Sequence, residues 1–205
     1  NTLDDPMYPM SGRRLKGVIG GEWQDATFIP AGVETDKVNY RRHYRLQAEF
    51  EWRRYFPLAS RVHLGGYARA LATLGPLYQT YTAELIGAPA FSPIPSTSDY
   101  FNPGLRAYNF VAAGINPVWN PTDTFQVRGD FYGFLPVRNI ACGADGMARH
   151  GSWFNHPAFI GEVAAVYNLP FASLSLYGNY LSTPHGNWHF GISFGLFFLA
   201  PRLTR

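Results

Sequence analysis

Between Trp188 and Phe198 the chain alternates strictly, with Phe197 as the exception. Phe190, Ile192, Phe194, Leu196 and Phe198 share one face at a period of two, and His189, Gly191, Ser193 and Gly195 share the other. That period belongs to a β-strand with one greasy face and one small or polar face. Residues 43–53 repeat the pattern with charges: Tyr44, Leu46, Ala48, Phe50 and Trp52 oppose His43, Arg45, Gln47, Glu49, Glu51 and Arg53. A helix would scatter these residues around its circumference, so the expected class is all-β.

The alternation predicts about eight strands of roughly 10–13 residues, longer than the 5–6 usual in globular proteins. They fall over about 13–29, 43–53, 60–73, 107–118, 124–135, 158–168, 173–180 and 188–198. Phe56-Pro57-Leu58-Ala59 is expected to be a tight connection, and the faces of 107–118 cannot be assigned from the pattern. Residues 75–104, rich in Pro, Ser and Thr around 89–98, and residues 137–157 read as long irregular loops; loops of that length are usually functional or disordered. Long and short connections alternate along the chain, as in outer-membrane barrels with long extracellular loops and short periplasmic turns.

Period two cannot tell a soluble sandwich from a membrane barrel, since one hides its apolar face and the other shows it to lipid. Composition weighs on the side of the barrel. Charged residues make up 15% and aromatics 17% of the chain, with no apolar run long enough for a spanning helix; a tilted strand of about 9–11 residues crosses a bilayer core. The polar faces carry charges of both signs, and Arg45, Glu49, Glu51, Arg53, Arg61 and Arg69 are expected to pair in a lumen. Trp23, Trp52, Tyr55, Phe56, Trp119, Trp188 and Phe198 sit near strand ends and are expected in interfacial girdles. A net charge of +3 from scattered basic residues argues against nucleic-acid binding. The chain starts at Asn1 without a Met or a signal peptide, which suggests a processed product or a piece of something longer.

Gly191-Ile192-Ser193-Phe194-Gly195 matches G-x-S-x-G, the nucleophile turn of serine hydrolases. A nucleophile elbow needs a strand, a sharp turn and then a helix, whereas Gly195 is followed by Leu-Phe-Phe-Leu-Ala-Pro. Ser193 is therefore expected to be a small lumen-facing residue rather than a catalytic one, and no catalytic set is assigned. His185 and His189 have the spacing of helical zinc ligands, but four residues on a strand span about 13 Å. His150 and His156 share a loop without an acidic or Cys partner. No metal and no cofactor are expected.

The segment Asn1-Thr2-Leu3-Asp4-Asp5-Pro6-Met7-Tyr8-Pro9-Met10-Ser11-Gly12, followed by an alternating strand, resembles the opening of the second half of barrels in the bacterial surface-antigen superfamily, which includes the outer-membrane-protein assembly factor (BamA-type). The spacing of Ala88–Ser96 and then Leu105-Arg106-Ala107-Tyr108 is similar to barrels fused behind patatin-like phospholipase domains. The resemblance implies a C-terminal half-barrel in the outer membrane of a Gram-negative bacterium. That half would anchor the protein and pass or insert a polypeptide or lipase domain, with any lipase activity belonging to sequence upstream. It places Arg106 in the family's V-R-G-[FY] lumen-loop motif, with Leu for Val and Ala for Gly. A literal Val127-Arg128-Gly129 is set aside because it lies in a strand and precedes Asp130. His189, Gly191, Phe194 and Leu196 match the assembly signal of last strands. Half a barrel leaves two open edges, to be met by missing strands, a second copy or a partner chain. The competing expectations are a soluble β-sandwich or ligand-binding barrel and, weakest, an esterase using Ser193.

Overall fold

The computed structural model describes residues 1–5, 7–25, 42–98, 101–169, 172–183 and 188–196. The chain is all-β. Eight strands form one antiparallel sheet in the order β1 (Arg13–Asp25), β2 (Arg42–Ala59), β3 (Val62–Leu74), β4 (Phe110–Trp119), β5 (Phe125–Pro136), β8 (Ala158–Asn168), β9 (Ala172–Leu181) and β10 (Trp188–Leu196). Each strand pairs with its neighbours along the chain, except that β6 (Arg138–Cys142) and β7 (Ala148–Trp153) leave the sheet as a separate hairpin. Among the described residues the sheet is open, with β1 and β10 as its edges.

Alternation was a good guide to strand identity and a poorer one to strand ends. β2 runs through Phe56-Pro57-Leu58-Ala59, where a connection is expected, and the turn lies at Ser60-Arg61. Pro57 is tolerated because the β2–β3 register shifts between Pro57 and Ala59; a bulge frees Pro from donating to the ladder. Residues 26–29 and Phe197-Phe198, expected to extend β1 and β10, lie outside the described residues.

The pairing brings connections 60–61 and 120–124 to one end of the sheet. Connections 75–109 and 137–157 stand at the other. Neither is irregular throughout. The first contains helix α1 (Tyr81–Gly87) and the 3₁₀ turns Pro95–Ser98 and Pro103–Leu105, and the second contains the β6–β7 hairpin. Thr80 supplies α1 with an N-cap, its side chain accepting from the Ala83 amide.

The two faces of the sheet have the reverse of soluble polarity. On one, Ile19 is 80%, Phe190 78% and Ile192 73% exposed, and Phe50, Ile115 and Val163 are exposed as well. On the other, Arg128, Asp130, Glu162, Ser175 and Asn179 are buried. Strand β4 resolves in the same way, with Phe110, Ala112 and Asn116 inward and Val111, Ile115 and Trp119 outward. No second sheet covers the apolar face among the described residues. What buries the polar face is the chain's own loop.

Candidate functional site

The polar face of the sheet is filled by the described part of connection 75–109, which reaches from β2 and β3 to β8 and β9. Phe91 sits at the centre of the crossing, fully buried among Tyr67, Phe110, Tyr132 and Phe134. Tyr67 meets Tyr132 edge-on at 5.2 Å, a favoured aromatic geometry. Strand arginines hold the loop backbone. Arg53 donates to the Pro93 carbonyl and lies over the Tyr67 ring, and Arg69 donates to Ala90 O. At the far wall the Ser96 hydroxyl donates to Glu162, and Asn179 Nδ2 reaches Ser96 Oγ at 2.9 Å.

Helix α1 is latched by one acid. Glu84 is buried, and Arg45 Nη2 from β2 contacts both its oxygens at 2.6 Å. The Tyr108 hydroxyl donates to Oε2 at 2.6 Å, and the Tyr78 amide donates to Oε1 at 2.9 Å. Arg45 also lies between the rings of Tyr78 and Tyr108, 4.6 and 4.5 Å from their centroids. The β6–β7 hairpin closes over this latch. Tyr81 N donates to Gly146 O and Ala148 N to Gln79 O, while Ile140 and Ala148 pack with Ala88 and Tyr108. Beside the latch a cleft of about 430 Å³ runs between α1 and the β1 edge, lined by Val18, Glu22, Gln24, Arg45, Gln47, Thr73 and Tyr108.

Burial works to raise the Glu84 pKa, but the Tyr108 hydroxyl, the Tyr78 amide and Arg45 outweigh it and hold the carboxyl below its usual value. A depressed folded-state pKa contributes stability above the unfolded carboxylate value and loses it as pH falls through the folded one. Acidification below about pH 4 should therefore release α1 before the sheet unfolds. Amide exchange across 81–88 should rise on acidification in the wild type. Glu84→Gln should be fast already at neutral pH and insensitive to acid.

The turn end is closed by the N-terminal segment. Tyr8 packs on Ala164 and Val166, its hydroxyl lies 2.8 Å from Ser175 Oγ, and Gln126 Nε2 donates to its carbonyl. Next to it lies a buried ionic knot. Arg128 Nε and Nη2 donate to the two oxygens of Asp130 at 2.8 and 3.1 Å, and Nη2 also reaches the Tyr55 hydroxyl. Asn116 Nδ2 donates to Asp130 at 2.6 Å and to the Tyr132 hydroxyl at 2.7 Å. Asp130 faces Glu162 directly across β5 and β8. Two acids so placed repel, and Arg128 on one side with Ser96 and Asn179 on the other offsets this.

The residues singled out in the sequence are spread over the sheet and its crossing loop. Arg106 is half-buried in the crossing loop, donating from Nη1 to the carbonyls of Ile86 and Ala88, with its guanidinium over Phe101. It ties off the C-terminal end of α1. Arg128, of Val127-Arg128-Gly129, is held deep among interior groups. Arg69 and Lys16 pair with Glu49, and Arg14 pairs with Glu51. Arg61 stands exposed in the β2–β3 turn. Tyr55 is interior rather than part of a girdle, while Trp23, Trp119 and Trp188 are exposed near strand ends.

His189 and Gly191 face inward on β10, Phe194 and Leu196 outward. Gly191 is where the Tyr177 hydroxyl crosses, 2.5 Å from where a Cβ would stand. Ser193 lies within regular strand opposite Ser175, not at a turn, so the hydrolase pattern has no elbow. His185 and the tail Ala200–Arg205 lie outside the described residues. No group of three or more His, Cys, Asp or Glu side chains placed to hold a metal occurs among the described residues. Compared with models of protein families, with curated proteins and with solved structures, the chain matches none.

Proposed function

We propose that this chain is half of the wall of an outer-membrane β-barrel in a Gram-negative bacterium, with a built-in plug. Its resemblance to the surface-antigen superfamily, and to barrels behind patatin-like phospholipases, extends the reading to anchoring and to passage or insertion of a polypeptide. One observation carries the membrane reading. The outward face is a continuous band of exposed Leu, Ile, Val and Phe, while ion pairs such as Arg128–Asp130 are buried on the inward face. In water the band would be a large unburied apolar surface. Against acyl chains it is solvated.

Girdle placement supports the same reading. Trp23, Tyr44, Tyr180 and Trp188 stand exposed at the loop end of their strands, and Trp119 and Tyr167 at the turn end. Tryptophan and tyrosine favour the two headgroup levels. No described helix is long and apolar enough to cross a membrane, so the strands would make the crossing. The lumen is occupied by the 75–109 crossing, so passage would require that segment to move, and the Glu84 latch is what holds it. Quenching of Trp119 by bromine-labelled acyl chains tests the reading.

A further inference from the structure

Among the described residues, the cations that strand parity places in the outward set of the sheet stand at its two ends. Arg42 opens β2 at the loop end, in register with Asp25. Arg13 opens β1 at the turn end, in register with Arg54. The dipeptides Arg13-Arg14 and Arg53-Arg54 thus oppose each other across β1 and β2, and their side chains divide between the two faces. The inward pair is provided for. Arg14 Nε lies 3.6 Å from a Glu51 oxygen, and Arg53 donates to the Pro93 carbonyl. The outward pair, Arg13 and Arg54, is exposed and has no ion pair among the described residues. Nearby acids are engaged elsewhere: Glu49 holds Lys16 and Arg69, and Asp4 accepts from the Met10 and Ser11 amides.

Like charges directly opposite on one face of a sheet repel, and a cation on a lipid-facing surface is tolerated only near the interface. Both conditions call for an anion from outside the chain. Arg54 is aimed toward the interface. Its guanidinium lies over the Phe56 ring, 4.7 Å from the centroid and two residues nearer the turn, the reach of a side chain that snorkels to headgroup level. Guanidinium groups match phosphate oxygens two by two, so a phosphate between the arginines turns their repulsion into two attractions. One step toward the middle of the strands the face is apolar. Leu15 is 66% exposed, and Trp52, in register with it, covers Gly66 with its ring. A ligand with a phosphate at one end and acyl chains at the other fits both levels. A zwitterionic headgroup brings its own cation to the arginines, whereas a net-anionic one does not.

We propose that Arg13 and Arg54 bind the phosphate of an anionic phospholipid in the leaflet at the turn end of the sheet, with its acyl chains along Leu15 and Trp52. The proposal rests on the barrel-wall reading above. Trp52 reports on it in a parent chain that carries phenylalanine at Trp23, Trp119, Trp153 and Trp188. Vesicles are made of phosphatidylglycerol and phosphatidylcholine in equal parts, with bromine on the acyl chains of one lipid or the other. Brominated phosphatidylglycerol should quench Trp52 as though enriched about fivefold around it, the size of one arginine's attraction to an anionic lipid surface. Arg13→Gln with Arg54→Gln should abolish the enrichment and leave the total quenching unchanged. Arg61→Gln, which removes an exposed charge from the β2–β3 turn, should preserve it. Inorganic phosphate added at constant ionic strength should not lower it. Equal quenching by the two lipids in the parent, enrichment that survives the double substitution, an equal loss with Arg61→Gln, or displacement by inorganic phosphate would overturn the proposal and leave the wall reading standing. Trp52 left unquenched by either lipid would overturn both.

Discussion

Val163→Arg should cost about 2–4 kcal/mol of unfolding free energy when the protein is refolded into phospholipid vesicles, the penalty for a cation on the lipid face near the bilayer midplane. Val163 is 56% exposed at the middle of β8, flanked on the outward face by Gly129 of β5 and Gly178 of β9. The rings of Phe131 and Phe190 lie over those two glycines, so the arginine extends outward from the sheet, and a water-facing site of that exposure would tolerate the change within about 0.5 kcal/mol. Only the solvent differs between the two outcomes. From the sequence alone an apolar-to-Arg change would be damaging in a soluble core as well. The exposure of the apolar face removes that ambiguity. Urea titration in vesicles reads the difference, and a change under about 0.5 kcal/mol would place this face in water.

The second large effect is expected inside. Arg128→Met removes the cation from a buried pair and leaves Asp130 facing Glu162 with Asn116 as its remaining strand-side donor. Breaking a buried pair by deleting one partner costs about 3–5 kcal/mol, while replacing both partners with well-packed apolar residues is often neutral. Arg128→Met should therefore lose about that much in the same titration, and Arg128→Met combined with Asp130→Leu should recover most of it. If the single and double variants were equally destabilised, the Arg128 contacts with Tyr55 and Tyr8, rather than the ion pair, would be what the knot depends on.

Period two made the strands legible, because the pattern is local and needs only neighbours in sequence. It also held more than was read from it. Tyr55 has the parity of Arg53 and Glu51, the inward set, so its interior position was available in the sequence despite its place near a strand end. Arg128 has the inward parity of Gln126 and Asp130. A short motif drew attention to Arg106 instead, whose partners turned out to be two carbonyls at the end of α1. The plug was not legible. Glu84 with Arg45, Ser96 with Glu162 and Tyr8 with Ser175 are joined across 39, 66 and 167 residues, and nothing in the local pattern of 75–104 marks those pairings. Helix α1 left a fainter trace in its Thr80 cap and terminal Gly87.

The central claim is that the apolar outer face of this sheet lies against acyl chains, and tryptophan quenching tests it most directly. In two variants tryptophan is kept only at Trp119, on the outward face, or only at Trp153, on the hairpin beyond the sheet, with phenylalanine at the other tryptophan positions. Both residues are exposed, 53% and 63%, so exposure alone does not separate them. In vesicles of lipid brominated on its acyl chains, Trp119 fluorescence should be strongly quenched and Trp153 spared. Equal fluorescence from the two, unaffected by the bromine, would contradict the account.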